Sequence, residues 1–231
     1  MIPYIVINGK SSRQVNGLMI QSLPPISKPL IRTEVEEIDG RDGDVVTVLG
    51  YAAYDKTISV GLHGDFNIDD VISFFSTEGK IIFSNEPDKY YNFNQYDTID
   101  FNRLLRFRTA NINIHVQPFK YSADETPISK TGNTIDMIVR NNGNIFSRPV
   151  LTLEGTGDGI VDLNGERIFE LSVTDKMIID IPNMNATDGN GNYLNRQVSG
   201  DYDSFRLIPG ANDIHVEGMD KVTIDLYSRW V

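Results

Sequence analysis

Residues 110–117 alternate without a break: Ala110, Ile112, Ile114 and Val116 are apolar, while Asn111, Asn113, His115 and Gln117 are polar. A repeat of two belongs to a pleated strand with one dry and one wet face. The pattern predicts a strand over residues 106–117 that Pro118 closes, because proline cannot donate to a ladder. Shorter runs of the same kind cover residues 4–7, 18–20, 33–38, 45–49, 57–62 and 81–83. Turn pairs separate them. Asn8-Gly9 and Asn16-Gly17 are two, and Asp39-Gly40-Arg41-Asp42-Gly43 holds two Asp-Gly pairs between strands, a strong hairpin signal.

One helix interrupts this series. Asn67 is placed to cap it, Asp69 and Asp70 suit its first turn, and Ile68, Val71, Ile72 and Phe75 fall at helical spacing. The Pro-rich stretch of residues 23–29, with Pro24, Pro25 and Pro29, should be extended and lie outside any sheet centre. A polar segment without periodicity, from Tyr121 to Asn133, marks a boundary. It gives a first domain over 1–121, a linker over 122–133 and a second domain over 134–231.

The second part reads as strands only, at 135–139, 150–153, 159–163, 167–171, 177–181, 205–207, 214–216 and 222–226, with Asn164-Gly165 as a hairpin turn. Strands at such spacing suggest a β-sandwich. With 231 residues and 40% hydrophobic side chains, there is enough apolar material for a core in each domain.

The totals exclude several function classes. A net charge of −11 repels a phosphate backbone, so the chain should not wrap nucleic acid, although it can sit beside DNA without gripping it. No cysteine means no disulfide, thiolate metal site or cysteine nucleophile. The N-terminus lacks the basic and apolar regions of a signal peptide, and no apolar run approaches the ~18 residues of a membrane span. Synthesis and folding in the cytoplasm are therefore expected.

No constellation of reactive groups emerges. Asp188-Gly-Asn190-Gly-Asn192 begins like a calcium loop, but Tyr193 replaces the sharp-turn glycine and Ser199 the bidentate glutamate, so a long flexible loop is expected. Gly155, Gly157 and Gly159 are glycine-rich without a following helix, and a turn is the better reading than a phosphate cradle. His63, His115 and His215 have no partner at metal spacing and read as surface residues. Most carboxylates lie in turns or on the wet faces of strands, and there is no G-x-S-x-G elbow. No enzyme activity and no cofactor are expected. The aromatic cluster 90–96 can be a sugar platform, a subunit edge with Tyr90 and Tyr91, or plain core; core takes the largest share.

The order of four groups of segments resembles the distal tail protein family of long, non-contractile-tailed phages. They are residues 38–43 around Asp39, Gly40, Arg41, Asp42 and Gly43; residues 82–91 after the short helix; residues 116–121 with Pro118 and Tyr121; and, later, residues 141–144, 148–153 and 207–212. Each is turn chemistry, and their order carries the likeness. The resemblance implies an all-β chain of two domains. The first is a tail-tube-like β-sandwich or barrel with one short helix, six copies of which close into a ring. The second is a galectin-like or carbohydrate-binding-module-like β-sandwich outside it.

It implies a structural hub at the virion tail tip, forming a homo-hexamer that joins the tail tube protein to a tail-tip protein and, in some relatives, to a receptor-binding protein. DNA would pass through its channel without specific binding. Direct sugar binding by a chain this short is not expected, since the second domain has no room for a long arm. On this reading Pro24, Pro25, Pro29 and Arg32, in the loop 23–32, are candidate ring contacts together with Tyr90 and Tyr91, and part of the acidic surplus should line the lumen. The alternative is a carbohydrate-binding β-sandwich using Tyr193 and Tyr202, with Trp230 anchoring the last strand. A wall-degrading hydrolase is the third and weakest reading.

Overall fold

The computed structural model describes residues 2–40, 42–75, 78–94 and 101–231. Contacts gather these into two compact units, one ending at Ala123 and the other spanning Asp124–Trp230. The chain is mostly β-strand, as its alternation requires.

In the first unit the strands are β1 (Ile5–Ile7), β2 (Lys10–Ser11), β3 (Leu18–Ser22), β4 (Ile31–Glu37), β5 (Asp44–Tyr51), β6 (Tyr54–Leu62), β7 (Glu78–Phe83), β8 (Lys89–Asn94) and β9 (Thr109–Ser122). They form one antiparallel sheet in the order β2-β1-β7-β8-β9-β6-β3, and β4 and β5 stand apart as a two-stranded ribbon. Ile112, Ile114 and Val116 of β9 point into a core with Ile58 and Val60 of β6, so the even-numbered face of 110–117 is the dry one. The predicted helix is α1 (Ile68–Phe74). Asn67 caps it by accepting from the amide of Asp69 at 3.0 Å, and Val71 and Phe74 enter the core. It is seven residues long, and Phe75 closes it instead of extending it.

Two expectations about β9 need correction. Its strand begins at Thr109, because residues 101–107 form a second helix, α2 (Phe101–Phe107), with Leu104 as its buried anchor. Pro118 does not end the strand either. Val116 pairs with Phe93 and Lys120 with Tyr91, so residues 117–119 bulge opposite Asn92. The β6 ladder has already stopped at Val116, so β6 does not miss the donor that Pro118 lacks.

The second unit contains β10 (Ile128–Thr131), β11 (Thr134–Asn141), β12 (Val150–Leu163), β13 (Glu166–Asp180), β14 (Asn185–Thr187), β15 (Val198–Gly200), β16 (Gly210–Glu217) and β17 (Lys221–Asp225). Strands predicted at 150–153 and 159–163 are one strand, β12, and those at 167–171 and 177–181 are also one, β13. The first part of β12 pairs with β17 and its last part with β16, while β13 likewise serves β15 and then β14. The β12–β13 hairpin thus passes from one half of a curled sheet to the other, and inward residues of both halves make a single core around Phe169, Phe205, Leu151 and Val216.

The glycine run expected as a turn is the corner of this hairpin: Gly155 (φ +155°) and Gly157 (φ +121°) keep their pairing with Asp175 and Val173 while the strand bends. Glycine allows that backbone where a side chain would strain it. The segment expected as a linker over 122–133 is also ordered. Ala123 donates to the carbonyl of Asp88 at 3.0 Å, and β10 runs along β17. Residues 205–207, expected as a strand, make only an isolated bridge between Leu207 and Ser147.

Candidate assembly site

Among the described residues the β4–β5 ribbon is the long hairpin in which strand alternation produces no burial, since no residue of either strand is buried. The register explains its two faces. Thr33 opposes Val48, Val35 opposes Val46 and Glu37 opposes Asp44 on one face; Glu34 opposes Thr47 and Glu36 opposes Val45 on the other. The first face is therefore apolar toward the root, with an acidic pair near the tip. The second is acidic. Val35, Val46 and Val48 are 55%, 56% and 66% exposed, which is unusual for valines in a regular strand.

At the tip Gly40 (φ +83°) and Gly43 (φ +78°) take the left-handed conformation their Asp-Gly pairs foretold; Arg41 lies outside the described residues. Near the root the ladder skips Leu49, so Arg32 pairs with Gly50 and the ribbon twists there.

The root is tied to the first unit by a buried polar network. The amide of Ala52 donates to the carbonyl of Leu30 at 2.8 Å. Before it, the Pro-rich loop is fastened by three side chains donating to its carbonyls: Asn85 to Pro24 (3.0 Å), Lys56 to Pro25 (3.0 Å) and Tyr54 to Ser27 (3.4 Å). Pro24 and Pro29 are buried, Pro25 is exposed and Arg32 is exposed. Lys56 is itself buried, with its ammonium 4.9 Å from the ring centre of Tyr91.

Glu86 supplies the counter-charge. It accepts from Lys120 at 2.7 Å and from the Tyr91 hydroxyl at 2.9 Å. Burial holds the Lys56 ammonium below its ordinary pKa, opposed by the charge of Glu86, and pushes the hydroxyls of Tyr91 and Tyr54 up. Sequence reading missed this network. The available signal was phase: Lys56 is in step with Ile58, Val60 and Leu62, and Lys120 with Ile114 and Val116, so both lysines stand on dry faces.

No family model and no curated protein matches this chain. Among solved structures, the Dit protein of phage SPP1 aligns over 100% of both chains with a TM-score of 0.70 at 14% identity. The chain has the SPP1 Dit fold. That protein is described as a paradigm of the hub adsorption apparatus in phages infecting Gram-positive bacteria. Two structures of the phage p2 baseplate in its activated conformation, with Sr and with Ca, align at TM-scores of 0.49 and 0.45 and identities of 11% and 10%. They cover 98% and 97% of this chain and 98% of their own in each case. The Dit fold is the one that the order of turn segments had suggested.

Within this Dit fold the remaining predicted residues scatter. Tyr90 and Tyr91, expected as ring contacts, are buried in the first unit: Tyr90 stacks on Tyr121 at 5.4 Å, and Tyr91 meets Phe83 edge-on at 5.7 Å. Only Tyr91 enters the core; Tyr90, next to it in the strand, lies on the opposite face, where Tyr121 and Lys80 cover it. Tyr96 of the same cluster lies outside the described residues. Tyr193 is exposed, but the Tyr202 ring packs against Phe169 at 5.2 Å and its hydroxyl is buried.

A groove of the second unit, about 590 Å³, is lined by polar side chains including Asp158, Glu170, Arg196 and Glu217, and by neither tyrosine. Asp188 closes a tight turn by accepting from the amides of Asn190 and Asn192, both at 2.8 Å, in place of the expected flexible loop. Among the described residues no group of three or more acidic or histidine side chains could hold a metal ion, and no helix is long and apolar enough to cross a membrane.

Proposed function

We propose that this protein is a structural hub of a phage tail tip, with the first unit as the tail-tube-like, ring-forming domain and the second as a galectin-like domain outside the ring. The observation that carries this reading is the β4–β5 ribbon: a regular, amphipathic hairpin that pairs with no third strand among the described residues and buries none of its own. An exposed ribbon of this kind invites other chains, and symmetric self-association is the common outcome for such a surface. The full-length likeness to the SPP1 Dit fold supports the setting.

In this reading six copies close into a ring that joins the tail tube to the tail-tip proteins. The ribbon's Glu34 and Glu36 face lines the channel, where like charge lets DNA pass without being held. The Pro24–Ser27 carbonyls, clamped by Lys56 and Asn85, fix the direction in which the ribbon leaves the unit.

The test is mass in solution across a range of concentrations, with negative-stain images of the protein alone and mixed with its tail partners. Six-fold rings are the expected result. A strict monomer in every mixture overturns the reading.

A further inference from the structure

We infer that the subunit-to-subunit contact of the proposed ring is heterologous: the apolar and acidic face of one protomer's β4–β5 ribbon docks on the basic α2 surface of the next copy of this chain. The inference rests on the assembly reading above and names the surfaces that meet.

The first observation is charge. Between Ile31 and Tyr51 six carboxylates stand against two arginines, whereas residues 101–108 carry three arginines and no acid. In a chain with a net charge of −11, so concentrated a basic segment stands out. Arg103 and Arg106 are exposed and form no ion pair among the described residues. Arg108 is differently placed: it has φ +60°, and its guanidinium lies 4.6 Å from the ring centre of Phe66, so it is part of the first unit's own packing.

The second is matched apolar surface. Beside those arginines Phe107 is 62% and Leu105 41% exposed, and the ribbon offers Val35, Val46 and Val48. On the same ribbon face Glu37 and Asp44 sit directly opposite each other. Like charges across a ladder repel, and a cation from outside relieves the repulsion. Apolar centre with acidic end thus meets apolar centre with basic end.

The third is placement. The ribbon joins the start of β6, and α2 lies at its other end, where the amide of Leu62 donates to the carbonyl of Arg108 at 2.9 Å. Nine residues of strand separate the two ends by about 27 Å. Complementary surfaces at opposite ends of one strand associate head to tail, the arrangement from which rings are built.

Charge reversal of each side, then of both together, tests this on the full chain. Glu37→Lys with Asp44→Lys, or Arg103→Glu with Arg106→Glu, should weaken assembly at least about tenfold in dissociation constant, and the four changes combined should recover most of the loss. Sedimentation velocity reads the assembly, and circular dichroism reads the fold. If the α2 reversal unfolds the first unit, the ribbon reversal alone decides, since no residue of either ribbon strand is buried.

Unchanged assembly in the folded ribbon variant overturns the proposed contact while leaving the ring intact, and so does a combined variant that fails to recover. A wild-type chain that never assembles overturns the ring itself.

Discussion

Two long hairpins in this molecule follow the same alternating rule and meet opposite fates. In β12–β13 every second residue over most of its length is buried, because β16 and β17 flank one strand, β14 and β15 the other, and a shared core fills the inner side. In β4–β5 the valines of one face and the glutamates of the other are all in solvent. The pattern of side chains is similar; the difference is whether the chain supplies a second layer. A sheet face without its own layer leaves apolar surface open to a partner. That contrast carries the functional reading.

The largest expected effect lies beneath the ribbon. Glu86→Ala leaves Lys120 and Lys56 buried without a counter-charge and should cost the first unit about 3–5 kcal/mol, read as lost hydrogen-exchange protection in β6 and β9 with the second unit unchanged. A loss below about 1 kcal/mol would show that water already screens the network.

Next comes the hairpin comparison itself. Leu151→Ala in β12 should destabilise the second unit by about 2–5 kcal/mol. Val46→Ala in β5 should change monomer stability by no more than about 0.5 kcal/mol and yet weaken assembly. Equal stability losses at the two sites would mean that the ribbon packs within its own subunit after all.

The smallest effect is a titration on the closed unit. Hydrogen bonds accepted by Asp136 first and Glu217 second raise the His215 pKa above its ordinary value of 6.5, with Asp162 opposite it in the ladder. Because the folded value is the higher one, the contribution to stability is full below about pH 6.5 and fades as pH rises through the raised value. Following the ring protons by NMR, Asp136→Asn should move the midpoint down toward the ordinary value. No movement would reject Asp136 as the main cause.

Much of the fold was legible in the sequence because turn chemistry is local. Asn8-Gly9, Asp42-Gly43 and Asn164-Gly165 mark turns through residues that accept positive φ, and Asn67 announces α1 by its side chain. What was missed depends on distance. α2 meets the core through buried Leu104 and half-buried Phe101 alone, too little for helical periodicity to declare itself, and Arg106-Phe107 reads as the start of a strand. The glycine corner of β12 looks like a turn until β13 is seen to follow it through the bend.

The assembly site was half legible. The hairpin and an extended proline loop were expected, but Tyr90 and Tyr91 are buried, on opposite faces of their strand. Lys56, Glu86 and Lys120 come together only through pairing across three separate strands and loops.

The most direct measurement is the mass of the intact chain beside a version whose ribbon, residues 32–50, is replaced by a short turn. The account predicts six-copy rings for the first and folded monomers for the second. Rings formed equally well without the ribbon, or monomers in both at every concentration, would contradict it.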